Sequence, residues 1–325
     1  MHIKKVLIIR YNSIGDIVLT SPVISLLYSN QYEVHYLCKK AYSSLVANNP
    51  KVDRVWEFDD NFSILIPQLK AEGFIYIIDL HNNYRSGRIK KALGAKSYTL
   101  CKSRIKLYLM TRWRLDLSPE KHIVDRFLDT IEDIVTIENT PLEFYIPDRD
   151  IENAKKLLPT KSYVAIAVGA AFHTKQIPED MIIDVIDEIQ GTVVLLGGIG
   201  DVEKSKIIEI RSDRKVYNLT GQLSIEESAH AVQQSRMLLT GDTGLMHIAA
   251  AVGTKVVAIF GSTHPKLGYT PYMQNDSDAI VMGNQDLSCR PCTKQGNHSC
   301  PKGHFRCMLE LDTDDIVDNI NRFID

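Results

Sequence analysis

The sequence has little that points out of the cell or into a membrane. Its first stretch, MHIKKVLIIR, holds an apolar run of four residues before Arg10, too short for a secretory leader. No stretch approaches the ~20 apolar residues of a membrane span. A cytoplasmic chain is expected, and its six cysteines are then expected to be mostly reduced or metal-bound. Net charge is scarce as well, at -2, and by itself signals neither a nucleic-acid binder nor an acidic tail protein. Low-complexity segments and short repeats are missing. So are two glycine signatures, the dinucleotide fingerprint and the Walker-type phosphate loop, which disfavours dehydrogenases and P-loop enzymes.

What is present is ample apolar material, 44% of 325 residues, enough for two cores. Short buried runs alternate with helical patterns. KVLIIR, EVHYLC, RVWEF and FIYIIDL read as strands in the first part. The stretch 16–29 has helical spacing, with Pro22 predicting a kink or a late start. VDRFLDTIEDIV reads as one amphipathic helix. FYIPDRDIENAKKLL looks like a joint, with Asp148 or Asp150 capping a helix that begins near Ile151. The alternation then restarts with YVAIAVG, TVVLLGG, KVYNL, RMLLTG and KVVAIFG. Two doubly wound α/β domains, 1–150 and 151–325, are expected.

Ligands of such sheets bind beyond the carboxyl ends of the strands, so the informative loops follow Arg10, Gly169, Gly198 and Gly241. In RYNSIGDIVLTSP, Asp16 begins a helix, as an N-cap or as a carboxylate able to accept a proton. In AVGAAFHTKQIPED, Lys175 beside a helix start suits a phosphate, or is a surface lysine. In LLGGIGDVEKSK, Asp201 or Glu203 is placed to take sugar hydroxyls or to cap a helix. In GDTGLMHIAAAVG, Asp242 or Thr243 caps a helix and Gly244 bares backbone N–H groups. His247 falls on the side of Thr243, completing a polar cluster suited to an anion.

VLIIRYNSIGDIVLTSPVISLL together with LLTGDTGLMHIAAAVGTKVVAIFG resembles glycosyltransferase family 9, which includes the bacterial ADP-heptose:lipopolysaccharide heptosyltransferases. The resemblance extends through YIIDLHNNYRS and the TKQIPED and LLGGIGD loops. It implies a GT-B fold, two Rossmann-like domains facing across a cleft, with acceptor bound by the first and nucleotide sugar by the second. It implies an inverting, metal-independent transfer, with Asp16 as general base and Lys175 on the diphosphate. Asp242, Thr243, Gly244 and His247 would form the donor site, joined by Asp201. ADP-heptose is the implied donor and an anionic glycolipid the implied acceptor. Ala170 and Ala171 stand where the family carries hydroxyl residues. A non-catalytic nucleotide-sugar-binding protein and a GT-B epimerase are the alternative readings.

Two features stand beside that core. Cys289, Cys292, Cys300 and Cys307, with His298 and His304 near them, suit reduced structural thiols, a structural zinc, or disulfides. Residues 85–126 hold twelve Lys/Arg against three acids. That surplus marks a solvated face or a surface for an anionic partner. Arg85, Arg88, Arg104 and Lys106 are the acceptor candidates. RIKLYLMTRWRL, with Arg112 and Arg114 among its apolar residues, suits a helix lying on the inner membrane's cytosolic face.

Overall fold

Parallel strands with helices on both faces are buried on both sides and read as unbroken apolar runs. That pattern is what the chain forms. The computed structural model describes residues 4–102, 104–113, 121–284 and 286–324, without the side chains of 104–107. The chain divides into two compact units, residues 1–103 with 121–145, and residues 104–120 with 146–325.

The first unit carries β1 (Lys4–Ile9), β2 (Tyr32–Lys39), β3 (Arg54–Phe58), β4 (Tyr76–Asp79) and β5 (Lys96–Thr99). They form one sheet in the order β3-β2-β1-β4-β5, all parallel, with Val6 opposite both Val34 and Tyr76. Val6 to Ile9 have no exposed surface. Leu7 and Ile9 point to one face and pack with Trp56, Phe58, Leu69 and Ile77.

The second unit carries β6 (Tyr163–Ala167), β7 (Thr192–Leu196), β8 (Val216–Asn218), β9 (Met237–Gly241), β10 (Lys255–Ile259) and β11 (Ala279–Met282). Their order is β11-β10-β9-β6-β7-β8, again parallel. Alternation along β6 splits the core in two. Val164 and Ile166 pack on one face, Tyr163, Ala165 and Ala167 on the other, as the two-residue period of a strand requires.

One helical stretch breaks as Pro22 predicts, and another is shorter than its pattern predicts. Residues 16–29 form Ile14–Val18 and Ser21–Ser29, with Pro22 in the first turn of the second helix. VDRFLDTIEDIV is helical over Ile123–Leu128 and then tightens into a 3₁₀ turn, Asp129–Ile131. At both breaks a threonine hydroxyl donates back to the carbonyl three residues earlier: Thr20 to Ile17 at 2.6 Å and Thr130 to Phe127 at 2.6 Å. Such bonds compete with the helix ladder. The helix expected near Ile151 spans Asp148–Lys155, with Pro147 before it and no side-chain cap.

Strand order locates the sites. In the first sheet the winding reverses between β1 and β4, and in the second between β6 and β9. Crevices open at the carboxyl ends of strands at such switch points.

Candidate functional site

At the switch point of the second unit, Gly241 ends β9 and Asp242 follows. Lys175 arrives from the loop after β6. Its Nζ lies 2.9 Å from Asp242 Oδ2, with the two side chains 15% and 10% exposed. The fit is close, because a Cβ on Gly241 would collide with the Lys175 carbonyl oxygen. Thr263 Oγ1, from the loop after β10, donates to the same Asp242 oxygen at 2.8 Å. Asp242 is therefore committed to the lysine and not to helix capping.

Thr243 caps the helix Gly244–Ala251 instead. Its Oγ1 accepts the Met246 N–H at 3.3 Å and shares a hydrogen bond with Thr240 Oγ1 at 2.9 Å. Gly244 opens that helix, and His247 is buried within its first turn. The free amides of a helix start carry partial positive charge. A lysine, a carboxylate and a helix N-terminus thus meet, a set able to hold a phosphate beside a hydroxylated group.

Asp201 stands one strand away, after β7. Its Oδ2 accepts the Gly198 N–H at 2.9 Å, and the carboxylate rests against Gly169. Lys204 carries no signal of its own in the sequence. Its Nζ donates to the Ile177 carbonyl at 2.5 Å, bracing the chain just past Lys175. Burial pushes its pKa down to about 8 against the pull of Asp201 and Glu179.

At the switch point of the first unit, Asp16 lies in the helix after β1. Arg10, at the end of β1 and 7% exposed, reaches Asp16 Oδ2 through Nη2 at 2.5 Å and donates from Nη1 to the Leu80 carbonyl at 2.8 Å. The other carboxylate oxygen, Asp16 Oδ1, is buried with no hydrogen-bond partner among the described residues. Arg10 Nε, Tyr11 Oη and His81 Nδ1 share that condition. A buried polar group left unpaired costs about 1–3 kcal/mol.

His81 and Tyr11 were not foreseen, although the signal was present as a histidine directly after a buried strand, DLH. Their rings meet edge to face at 5.0 Å. Burial, then the Arg10 and Lys102 charges, push the His81 pKa down to about 4, so its imidazole is neutral at physiological pH. Burial, reinforced by Asp79, raises the Tyr11 phenol. Asp79 is fully buried beneath them, accepts the His81 and Asn82 N–H groups at 3.1 and 2.7 Å, and pairs with Lys90 at 2.7 Å.

Of the acceptor candidates, Arg85 pairs with Asp60 at 2.7 Å, and the Arg88 guanidinium lies 4.2 Å from the Phe62 ring centre. The side chains of Arg104 and Lys106, and all of Arg114, lie outside the described residues. The backbone of Arg104–Trp113 is helical, with Tyr108 and Trp113 exposed and Met110 buried. Among the described residues, no helix is long and apolar enough to cross a membrane.

None of the four candidate zinc cysteines is in a disulfide among the described residues. Cys289 Sγ lies 3.8 Å from His304 Nε2, and Cys292 Sγ donates to the Cys289 carbonyl at 3.1 Å. Burial raises the Cys307 thiol to about 11. Burial also works to raise Cys300, but N–H groups of residues 302–305 outweigh it and draw that thiol down. Among the described residues, the group with three potential metal-ligand atoms within 4.8 Å of one another is Glu33, His35 and Glu72. Lys5 already occupies it, 2.6 Å from Glu72 and 3.3 Å from Glu33.

Two parallel α/β units of these strand orders define a GT-B architecture, and solved structures share it. The glycosyltransferase family 9 structure from Veillonella parvula superposes with a TM-score of 0.80 at 20% identity, covering 99% of this chain and 97% of that one. The E. coli ADP-heptose lps heptosyltransferase II superposes with a TM-score of 0.75 at 15% identity, covering 98% of each chain. The model of glycosyltransferase family 9 (heptosyltransferase) matches residues 63–302, and the chain belongs to that family. It is similar to the lipooligosaccharide heptosyltransferase 2 of Campylobacter jejuni, 28% identical over 211 residues, which are 62% of this chain and 65% of that relative's length.

Proposed function

We propose that the chain transfers a heptose from ADP-heptose to a lipopolysaccharide-core or related anionic glycolipid, inverting the anomeric carbon. The observation that carries this reading is the Lys175–Asp242 pair beside the Thr243-capped helix, at the second unit's switch point. Family membership supports it, as does the fold shared with an E. coli enzyme described as an ADP-heptose lps heptosyltransferase.

The donor's diphosphate takes Lys175 from Asp242 and receives the amides at Gly244 and Leu245, with His247 behind them. Asp242 is released toward sugar hydroxyls, and Asp201 bounds the sugar's side. As the glycosidic bond breaks, negative charge grows on the departing phosphate. Fixed N–H dipoles and Lys175 then stabilise the transition state more than the ground state. That arrangement supplies the positive charge which a divalent cation would otherwise provide.

On the acceptor side, Asp16 Oδ1 takes the proton of the attacking hydroxyl. Arg10 holds the other oxygen and so fixes the direction of the free one. Arg85 and Arg88, in the same unit as Asp16, meet the phosphates of the glycolipid. The test is ADP release from ADP-heptose in the presence of a heptose-deficient core acceptor, with EDTA present. Release that requires the acceptor and survives EDTA supports the reading. A strict Mg²⁺ requirement, or no release with any heptose donor, overturns it.

A further inference from the structure

The loops after β6 and β10 are tied together at Thr174 and Ser262, and each of these residues has its chain neighbour in the donor site. Thr174 precedes Lys175, and Ser262 precedes Thr263. Lys175 and Thr263 meet on one atom, Asp242 Oδ2, at 2.9 and 2.8 Å. Behind them the Ser262 hydroxyl donates to Thr174 Oγ1 at 2.7 Å, and the Ser262 N–H donates to the Thr174 carbonyl at 3.2 Å. Two adjacent residues of one loop and two of the other thus close a ring through the Asp242 carboxylate. Thr174 has no exposed surface, and Ser262 and Thr263 are 2% exposed.

Thr174 has every polar group engaged. Its N–H and its hydroxyl both donate to the Asn297 carbonyl at 3.1 Å, and its Oγ1 accepts the Asn297 N–H at 2.8 Å besides the Ser262 hydroxyl. A hydroxyl offers one donor and two acceptor sites, and all three are used. The β10 side of the joint is anchored separately. Arg290, 7% exposed, donates to the carbonyls of Phe260, Gly261 and Thr263 at 2.7, 2.6 and 3.0 Å. Thr174 fastens the β6 side to that anchored loop.

The backbones approach as closely as the side chains. A Cβ on Gly261 would stand 2.7 Å from the Thr174 carbonyl oxygen, and one on Gly241 would stand 2.1 Å from the Lys175 carbonyl oxygen. The ends of β9 and β10 therefore press on residues 174 and 175 with no room for a side chain between. The 3₁₀ turn His173–Lys175 has no side-chain cap, so its placement depends on these outside contacts.

We propose that Thr174 is a positioning residue for the transfer reaction: its hydroxyl, held by Ser262 and Asn297, sets the reach of Lys175 toward the donor diphosphate. The inference rests on the donor reading of Lys175. A displacement of about 1 Å in a group that positions substrate can cost about a hundredfold, even when its cause lies away from the chemistry. Without the Thr174 hydroxyl, Lys175 keeps its charge and loses its aim.

The test is calorimetric titration of the full chain with ADP, with circular dichroism confirming that each variant is folded. Thr174→Val keeps the side chain's shape and removes its hydroxyl, and should lower ADP affinity by about fivefold or more. Thr174→Ser keeps the hydroxyl and should stay within about twofold of the wild type. In a Lys175→Met background, Thr174→Val should change ADP affinity by less than about twofold, because residues that act through one another do not add. Ser262→Ala removes one of the three bonds. It should give a smaller loss that also requires Lys175, and it carries the test if Thr174→Val does not fold. Wild-type affinity in folded Thr174→Val overturns the inference. So does an equal loss in Thr174→Ser, which would assign the effect to the methyl group, or an equal loss in the Lys175→Met background, which would make Thr174 a structural residue only. If Lys175→Met itself binds ADP like the wild type, the donor reading falls and this inference with it. A loss in Lys175→Met with none in folded Thr174→Val overturns this inference alone.

Discussion

Replacing Lys175 with methionine separates a structural pairing from a donor-binding role. The pair is close, 2.9 Å, and both side chains are mostly buried. At an effective dielectric of 20, its Coulomb attraction is about 6 kcal/mol before desolvation is counted. Desolvation removes most of that, but taking away one partner leaves Asp242 buried with Thr263 as its remaining described hydrogen bond. Breaking a fully buried pair costs about 3–5 kcal/mol. With 15% and 10% exposure, Lys175→Met should cost less, about 2 kcal/mol of unfolding free energy. Asp242→Asn added to Lys175→Met removes the stranded charge and should recover about half of that loss. ADP affinity should behave differently, falling at least tenfold in Lys175→Met and not returning in the double variant. The assays are urea unfolding of the unliganded chain and calorimetric titration with ADP. With Asp242→Asn alone completing the cycle, a coupling near zero in unfolding would show that the pair does not form in solution. Unchanged ADP affinity in both variants would move the diphosphate elsewhere.

Three further outcomes are expected. Asp16→Asn should fold and bind ADP like the wild type while turnover drops by about a hundred- to ten-thousand-fold, the usual contribution of a general base; steady-state ADP release reads this, and normal turnover would remove Asp16 from the role. His81 is held near 4 in the fold against an ordinary 6.5, so its contribution to stability is complete above pH 6.5 and is lost as pH falls from there toward 4, where the unfolded chain binds more protons. His81→Gln should flatten that part of the stability-versus-pH curve, and an identical curve would refute the assignment. Neutralising Arg104, Lys106, Arg112 and Arg114 together should abolish salt-sensitive binding to anionic liposomes and weaken acceptor binding, with ADP affinity untouched, because each basic residue near such a surface contributes about 1 kcal/mol; wild-type liposome and acceptor binding would return the segment to ordinary surface.

The architecture was legible because parallel strands are buried on both faces, so runs such as VLII and VVAI stand out without any partner in view. β5, KSYT, is exposed or half-buried and carries no such signal. The break in 16–29 was legible from Pro22, whereas the length of VDRFLDTIEDIV was overestimated where Thr130 turns its hydroxyl onto the backbone, a choice that periodicity does not encode. The site residues were legible one loop at a time. Their meeting was not, because Lys175 reaches Asp242 through β9 lying beside β6, and strand order is a property of the whole sheet. Arg10 reads in sequence as the polar end of a strand. Its work is visible once Asp16 and the Leu80 carbonyl are both within reach. Thr174 gave no sequence signal, since its three partners come from Ser262 and Asn297.

Several unfavourable features of the first unit lie at its switch point. Ser13, just before the helix bearing Asp16, has φ 80°, a conformation that costs a non-glycine residue roughly 1–3 kcal/mol. Among the described residues, Arg10 Nε and one buried polar atom each of Asp16, Tyr11 and His81 have no hydrogen-bond partner. A chain selected for stability alone would replace such groups, because an apolar residue of similar size removes the penalty. In the same sheet the neighbouring buried polar groups are satisfied: Thr20 bonds Ile17 and Tyr36, and His35 is bonded at both ring nitrogens, to Glu33 and Trp56. Tyr98 Oη, on the edge strand β5, is a further unpaired buried atom among the described residues of that sheet. The apolar strands beneath hold Arg10 and His81 in place without requiring them for the core.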